Sequence, residues 1–336
     1  MIQEMASDHY IDEVVLVEQL PSNSWVEGMA LRPNGEALLA RLDQPELHAV
    51  EPSKPEALPR LVHVFPEASG VINICTLPGR QDEFAVITGM VDVEKVQFRD
   101  FAIWHLALSP DNSQPPKVSK IASMPDALLA IGVTPVTERV LLVADSGKSC
   151  VWRLDIETGN MAVLIQDDWM KPISDDDFFG LNRLRIAGGY LWFTNNSAGS
   201  LCRIPIELDD TDPAVAIRVT GDVQLVSADI PCCDGLLLSD DTKSAYMANY
   251  VGGTLWRVDI DTAGRGKTHT VMEHLVSPTA LELRNVDGKR KLHVVCCGEI
   301  DIGWVTEDDR RSWSDIAHIN ATVEVSVTVT TEEVVQ

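Results

Sequence analysis

Residues 144–155 read ADSGKSCVWRLD, residues 194–205 read TNNSAGSLCRIP and residues 248–259 read ANYVGGTLWRVD. Each is the end of one strand, a Gly/Ser turn, and a second strand that carries an arginine. A short apolar strand leads into each turn: LLVADS from Leu141, LWFTNN from Leu191 and AYMANY from Ala245. Looser copies stand at Ala37 (ALLARL), Phe84 (FAVITG) and Leu292 (LHVVCC), so that successive starts are 47, 57, 50, 54 and 47 residues apart. A period of about 40–50 residues in a strand-rich chain marks a propeller, in which each repeat is a small sheet that buries its faces on its neighbours.

A second series lies just upstream of the first. It reads EGMAL from Glu27, NICTL from Asn73, IGVTP from Ile131, NRLRI from Asn182, DGLLL from Asp234 and TALEL from Thr279. Turns rich in Gly, Asn and Asp follow, as tight hairpins require. Each repeat therefore opens on an inner strand, turns, and returns through an apolar one. The pattern predicts an all-β, six-bladed propeller, with blades of four antiparallel strands around a central channel. The repeats lie near 25–50, 71–108, 129–165, 180–220, 232–272 and 277–330, within one domain over 1–336. The N-terminal run IDEVVLVEQL and the C-terminal run TVEVSVTVTTEEVV both read as strands. One is expected to complete the blade that the other begins, which removes exposed sheet edges.

The 336 residues are 45% hydrophobic and 23% charged, with a formal net charge of −24. Such a chain repels phosphate backbones, which argues against nucleic-acid binding. No apolar run reaches the roughly 20 residues of a spanning helix. The start MIQEMASDHYIDE has neither a basic nor an apolar leader region. It predicts a cytoplasmic chain as written, with secretion or a vesicular location following only if the start is processed. Seven cysteines without a CxxC argue against a zinc site and read as small buried strand residues. The acidic run DDWMKPISDDDFF at 167–179 lacks EF-hand spacing and reads as an inter-blade loop over the channel mouth.

In a propeller the first residue of each inner strand sits at one mouth of the channel. Glu27, Asn73, Ile131, Asn182, Asp234 and Thr279 are expected to form a ring there, four of them with carboxylate or amide oxygens. A polar ring in a buried channel is costly unless it binds something; otherwise these are turn-capping residues. The returning strands end near Arg41, Thr88, Asp145, Asn195, Asn249, Tyr250 and Cys297. Trp25 and Phe179 flank ring positions as apolar walls.

These motifs resemble the senescence-marker-protein/gluconolactonase/luciferin-regenerating family of six-bladed propellers, through WVEG at Trp25, LNRLRI at Leu181, CDGLLL at Cys233 and the blade-ending VWRLD and LWRVD. The likeness spans roughly residues 20–300. It implies a divalent cation, usually calcium, held at the mouth, with Glu27, Asn182 and Asp234 matching three of the ligands. The fourth matching position is Ile131, where the family's Asn-Gly has become Ile131-Gly132. An apolar residue there weakens a metal site and suits a greasy pocket. NSWVEGMALRPNGEALLARL and LLVADSGKSCVWRLDIETG further resemble the fungal branch of the family. That branch includes hetero-Diels–Alderases of tropolone-sesquiterpenoid biosynthesis, which join a terpene alkene to a tropolone o-quinone methide.

The resemblance implies a pericyclase of secondary metabolism that takes small hydrophobic substrates and requires no cofactor. Arg41, Glu27, Asn182 and Asp234 are its candidate catalytic groups, Arg41 as a donor to the quinone-methide oxygen. Trp25, Asn73, Thr88, Ile131, Asp145, Phe179, Asn195, Asn249, Tyr250, Thr279 and Cys297 are its candidate substrate contacts. A metal-dependent lactonase holding calcium weakly on Glu27, Asn182 and Asp234 is the alternative, and a non-catalytic binding propeller the second alternative.

Overall fold

The computed structural model describes residues 11–20, 24–54, 57–93, 95–174, 177, 179–209, 211–212, 216–228, 230–286, 289–297 and 323–329. Their strands form six antiparallel sheets, five of four strands and one of five. Blade 1 runs in chain order through Val26–Leu31, Ala37–Arg41, Glu46–Val50 and Arg60–Val64. Blades 2 to 6 open on the inner strands Gly70–Thr76, Ala130–Pro135, Leu181–Ala187, Cys233–Leu238 and Pro278–Val286. Each inner strand packs on the next, and that of blade 6 packs on that of blade 1, so the ring closes. In blade 4 the outer strand is split into Ile217–Val219 and Gln224–Ser227, both paired with Ser200–Leu208. The only described helical element is a single 3₁₀ turn at Asp168–Met170, so none is long and apolar enough to cross a membrane.

Closure follows the expected logic. Blade 6 is ordered from its inner strand through Lys289–Cys296 and Val323–Val329 to the N-terminal strand Ile11–Gln19. The two ends of the chain thus share one sheet, with Val14 opposite Val327 and Leu16 opposite Val325. The part of the sixth repeat at 298–322 lies outside the described residues.

The core lies between blades. Leu184, Leu191 and Phe193 of blade 4 pack on Leu142, Ala144 and Val151 of blade 3. Trp192 and Leu201, from the same blade, pack on Leu236 and Met247 of blade 5. Period-two alternation serves both faces, because each sheet is covered on both sides. That is why the central strands read as continuous apolar runs such as Val140–Asp145, buried at every position. Cys150, Cys202, Cys233 and Cys296 are buried in strands, as their small apolar size allows.

Asp145 and Asn195, placed at the mouth by sequence pattern, serve instead to close turns. Asp145 accepts hydrogen bonds from the backbone N–H groups of Leu128, Leu129 and Lys148 and from the Trp152 indole. Asn195 donates to the carbonyls of Trp169 and Lys171 and accepts from the Ala198 N–H. Asp145→Ala would strand the buried Leu129 N–H and three part-buried donors at once, and is expected to lower stability by about 3 kcal/mol. A urea midpoint that falls at unchanged slope checks this; an unmoved midpoint contradicts it.

Candidate functional site

All six inner strands carry a register shift against their partner strand near the same end of the channel. A β-bulge adds one residue and re-aims its side chain. The extra residues are Glu27, Ile72, Ile131 and Thr279 in four blades, and in blades 4 and 5 the shift spans Asn182–Arg183 and Asp234–Gly235, whose first residues take the matching place. Five of the six expected positions coincide with these shifts, although Thr279 does not line the cavity above them. In blade 2 the ring position is Ile72, not Asn73. Asn73 lies one residue further along, and a one-residue step reverses the face a side chain occupies. Its amide donates to the Ile131 carbonyl at 2.7 Å. Thr279 turns its hydroxyl onto the Val26 carbonyl at 2.6 Å, which joins blades 6 and 1.

The position after each bulge holds Gly28, Asn73, Gly132, Arg183, Gly235 and Ala280. Four of these have almost no side chain, and the axial space belongs to Arg183. The bare backbones also let inner strands approach closely: a Cβ on Gly132 would stand 2.3 Å from the Asn182 carbonyl oxygen, and one on Gly235 would stand 2.9 Å from that of Thr279. Arg183 reaches from blade 4 to four other blades. Its Nη1 donates to the Ile131 carbonyl at 3.1 Å. Its Nη2 lies 2.8 Å from both the Glu27 carbonyl and Glu27 Oε1, 3.3 Å from the Thr279 carbonyl and 3.0 Å from Asp234 Oδ1. The second Glu27 oxygen accepts from the Trp25 indole at 2.9 Å.

This network decides whether the mouth suits a divalent cation. Glu27, Asn182 and Asp234 do converge, as metal ligation requires. Yet both Glu27 oxygens are engaged by donors, and Asp234 is paired with the same guanidinium. A divalent ion about 4 Å from that guanidinium would be repelled by roughly 8 kcal/mol at an effective dielectric near 20. Ile72 and Ile131 add no oxygen from their side chains. Among the described residues, no three His, Cys, Asp or Glu side chains group as a metal site. The residues present do not fit a metal while Arg183 is in place.

Burial pushes the Glu27 carboxyl above its ordinary value, with the Arg183 charge opposing. Burial pushes Asp234 well above, again against the opposing Arg183 charge, and the neighbouring Glu27 adds to the rise. One cation thus faces two carboxyls in a low dielectric, where burial favours the neutral form of each and the guanidinium opposes it. Asn182 hydrogen-bonds Asp234 through its side chain, while its own Oδ1 is buried with no hydrogen-bond partner among the described residues.

Above the ring lies a cavity of about 550 Å³. Glu27, Asn182 and Asp234 form its polar floor, and Trp25, Ile72, Phe98, Ile131, Phe179 and Tyr250 supply apolar wall. Trp25 and Tyr250 stack with centroids 5.8 Å apart and planes 17° from parallel. The acidic loop contributes Asp177 and Phe179 and so borders the mouth. Two further lining residues, Val96 (φ 52°) and Cys232 (φ 50°), hold left-handed backbones, uncommon for any residue but glycine and more so for the β-branched valine. Burial raises the Tyr250 phenol well above its ordinary value, and its hydroxyl lies beside the Cys297 thiol. That thiol is itself raised well above, first by burial.

Other expected contacts stand elsewhere. The Arg41 guanidinium is clamped on Asp43, donating from Nε to Oδ1 at 2.8 Å, and is absent from the cavity lining. Thr88 accepts from the Trp104 indole at 2.8 Å within blade 2. Asn249 accepts from the Gly252 N–H at 2.7 Å in its turn. Cys297 is buried in the apolar cluster beneath the mouth. Sequence reading overlooked Arg183, Ile72, Phe98 and the hairpin around Val96. Arg183 had one visible signal, an arginine at a step where blades 1, 3 and 5 have glycine. At the opposite end of the channel, Asn73, Arg183, Arg185 and Glu282 line a second, more polar cavity of about 430 Å³. Arg183 therefore stands between the two spaces.

No family model matches the chain. A Phoma sp protein named as a hetero-Diels–Alderase is 24% identical over 225 residues, which are 60% of this chain and 63% of that protein. A protein of that name from Sarocladium schorii is 24% identical over 219 residues, 57% of this chain and 53% of the other. The matched stretch thus spans less than two thirds of either relative. Among solved structures, the calcium-binding protein regucalcin of Agrobacterium tumefaciens superposes with a TM-score of 0.59 at 14% identity, over 94% of this chain and 95% of the other. A luciferin-regenerating enzyme superposes with a TM-score of 0.61 at 14% identity, over 93% and 94%. At such identities the likeness establishes the fold: the chain is a β-propeller of the regucalcin and luciferin-regenerating enzyme shape, with weak sequence similarity to proteins named hetero-Diels–Alderases.

Proposed function

We propose that this propeller is a pericyclase that binds an electron-poor oxadiene, such as an o-quinone methide, together with a terpene alkene in the mouth cavity and controls the stereochemistry of their cycloaddition. The observation that carries this reading is an apolar, aromatic-walled cavity whose polar floor is already engaged from within by Arg183. Its volume, about 550 Å³, falls within the usual range for small-molecule sites. The names of the two fungal relatives point the same way. Cycloaddition needs neither nucleophile nor metal. It needs two partners held in a reactive pose and water kept from a reactive methide. The stacked Trp25–Tyr250 pair offers a flat face to a planar conjugated ring. Tyr250, kept protonated by burial, is the proposed donor to the carbonyl oxygen as it gains charge, once its buried hydroxyl turns from the Cys297 thiol to the substrate.

The test is direct. The protein is incubated with an o-quinone methide generated in situ and a humulene-type alkene, and the product is resolved on a chiral column. One dominant stereoisomer formed above the uncatalysed rate is the expected result; a product mixture identical to the protein-free control overturns the reading. The convergence of Glu27, Asn182 and Asp234 is what a metal-dependent lactonase, the second reading, would share, and the Arg183 guanidinium among them counts against it. The two separate on EDTA: cycloaddition is expected to keep its rate in the chelator, whereas lactone hydrolysis that collapses in EDTA and returns with calcium would support the hydrolase.

A further inference from the structure

The coordination of one nitrogen atom carries a further step. Arg183 Nη2 is surrounded by four oxygens from three blades: the Glu27 carbonyl and Oε1 at 2.8 Å, Asp234 Oδ1 at 3.0 Å and the Thr279 carbonyl at 3.3 Å. A terminal guanidinium nitrogen has two N–H groups, fewer than the oxygens it faces. Oxygens gathered around one positive centre in this way form a cation cage. The Ile131 carbonyl, held by Nη1, stands beside it. Asn182 Oδ1, on a residue only 3% exposed, adds a buried acceptor that none of the described residues satisfies.

We propose that Arg183 is the resident cation of this channel, occupying the place of a metal ion, and that truncating it converts the surrounding oxygens into a calcium site. Without the guanidinium, the Glu27 and Asp234 carboxylates, the Asn182 amide oxygen and the carbonyls of Glu27, Ile131 and Thr279 offer the six or more oxygens that calcium takes. Calcium binds oxygen at about 2.3–2.6 Å. The cage around Nη2 therefore needs only a small contraction, which the emptied arginine space permits. With Arg183 present the carboxylates are engaged and the positive charge excludes a second cation. The inference stands apart from the reaction proposed above, since its readout is metal binding and not turnover.

The experiment compares wild type, Arg183→Ala, Arg183→Ala/Glu27→Gln and Arg183→Lys after removal of metal by EDTA. Each is titrated with calcium chloride by calorimetry and melted with and without millimolar calcium, against sodium chloride of matched ionic strength. Wild type and Arg183→Lys are expected to give no binding heat and no calcium-dependent melting shift. Arg183→Ala is expected to melt about 3–5 °C higher at calcium near 100 times its Kd, and Arg183→Ala/Glu27→Gln to lose most of that shift. If Arg183→Ala is recovered only by refolding, its yield is expected to depend on calcium over EDTA. Calcium stabilisation of wild type equal to that of Arg183→Ala overturns the proposal. So does an Arg183→Ala protein whose melting, or refolding yield, is indifferent to calcium.

Discussion

Arg183→Met is expected to lower the unfolding free energy by about 3–5 kcal/mol at pH 7, the usual cost of removing one partner from a buried charge network. Methionine retains much of the volume but none of the five donors, so Glu27 and Asp234 are left facing each other in a low dielectric. The carbonyls of Glu27, Ile131 and Thr279 lose their donor in the same step. The loss carries a definite pH dependence. Burial already holds both carboxyls above their ordinary values, Asp234 well above. A raised folded-state pKa means that the folded protein binds more protons than the unfolded chain. Stability from such a group is fully present below the unfolded value, near 4, and is lost as pH rises through the folded value. The Arg183 charge is the main influence pulling these pKa values down, so its removal extends the window upward. The deficit of Arg183→Met should therefore be smallest near pH 4–5 and grow towards pH 8. Adding Glu27→Gln and Asp234→Asn should recover part of it, because neutral amides need no counter-charge. Urea denaturation of the variants across this pH range provides the check. A variant as stable as wild type at pH 7, with the same pH profile, would mean that Arg183 does not bind the blades together.

The second large effect concerns activity. Tyr250→Phe keeps the ring stacked on Trp25 but deletes the one phenolic donor in the mouth wall. Burial raises that phenol well above its ordinary value, so it stays a donor at every working pH. A hydrogen bond that strengthens as charge develops on a substrate oxygen is worth about 10²-fold or more in rate. Tyr250→Phe is accordingly expected to lower kcat of the proposed cycloaddition by about 10²-fold and to leave KM within about two-fold, because the apolar contacts that bind the alkene persist. Selectivity between the two product faces should fall in parallel. Initial rates and enantiomeric ratios of the variant decide the matter. An unchanged kcat would show that Tyr250 is not the donor.

The repeat could be read from the chain because each of its parts is local. A hairpin turn needs Gly, Asn or Asp at fixed places, and a strand buried on both faces needs an apolar run. LLVADSGKSCVWRLD declares both within fifteen residues. The end strands Ile11–Gln19 and Val323–Val329 alternate visibly, so closure of blade 6 could be anticipated before their pairing was seen. Five of the six ring positions were legible for the same reason. Blade 2 was misread because its polar residue, Asn73, stands where the pattern invited a ligand, while its bulge sits on Ile72. Arg41, Thr88, Asp145, Asn195 and Asn249 are polar strand ends near the right height. Each is captured within its own blade or turn, as Arg41 is by Asp43 and Asn249 by the Gly252 N–H, and a polar residue at a strand end does not announce that choice.

By itself, then, the sequence determined a propeller of six sheets, the end at which its ring lies and the apolar character of that ring at Ile131. The tertiary structure decided what occupies the centre. Arg183 meets Glu27 across 156 residues of chain and Thr279 across 96. No spacing rule encodes a contact of that range, because it exists only once five blades bring their bulged strands around one axis. A buried charge takes whichever counter-charges that geometry supplies, and here the oxygens that read as metal ligands were supplied with a guanidinium.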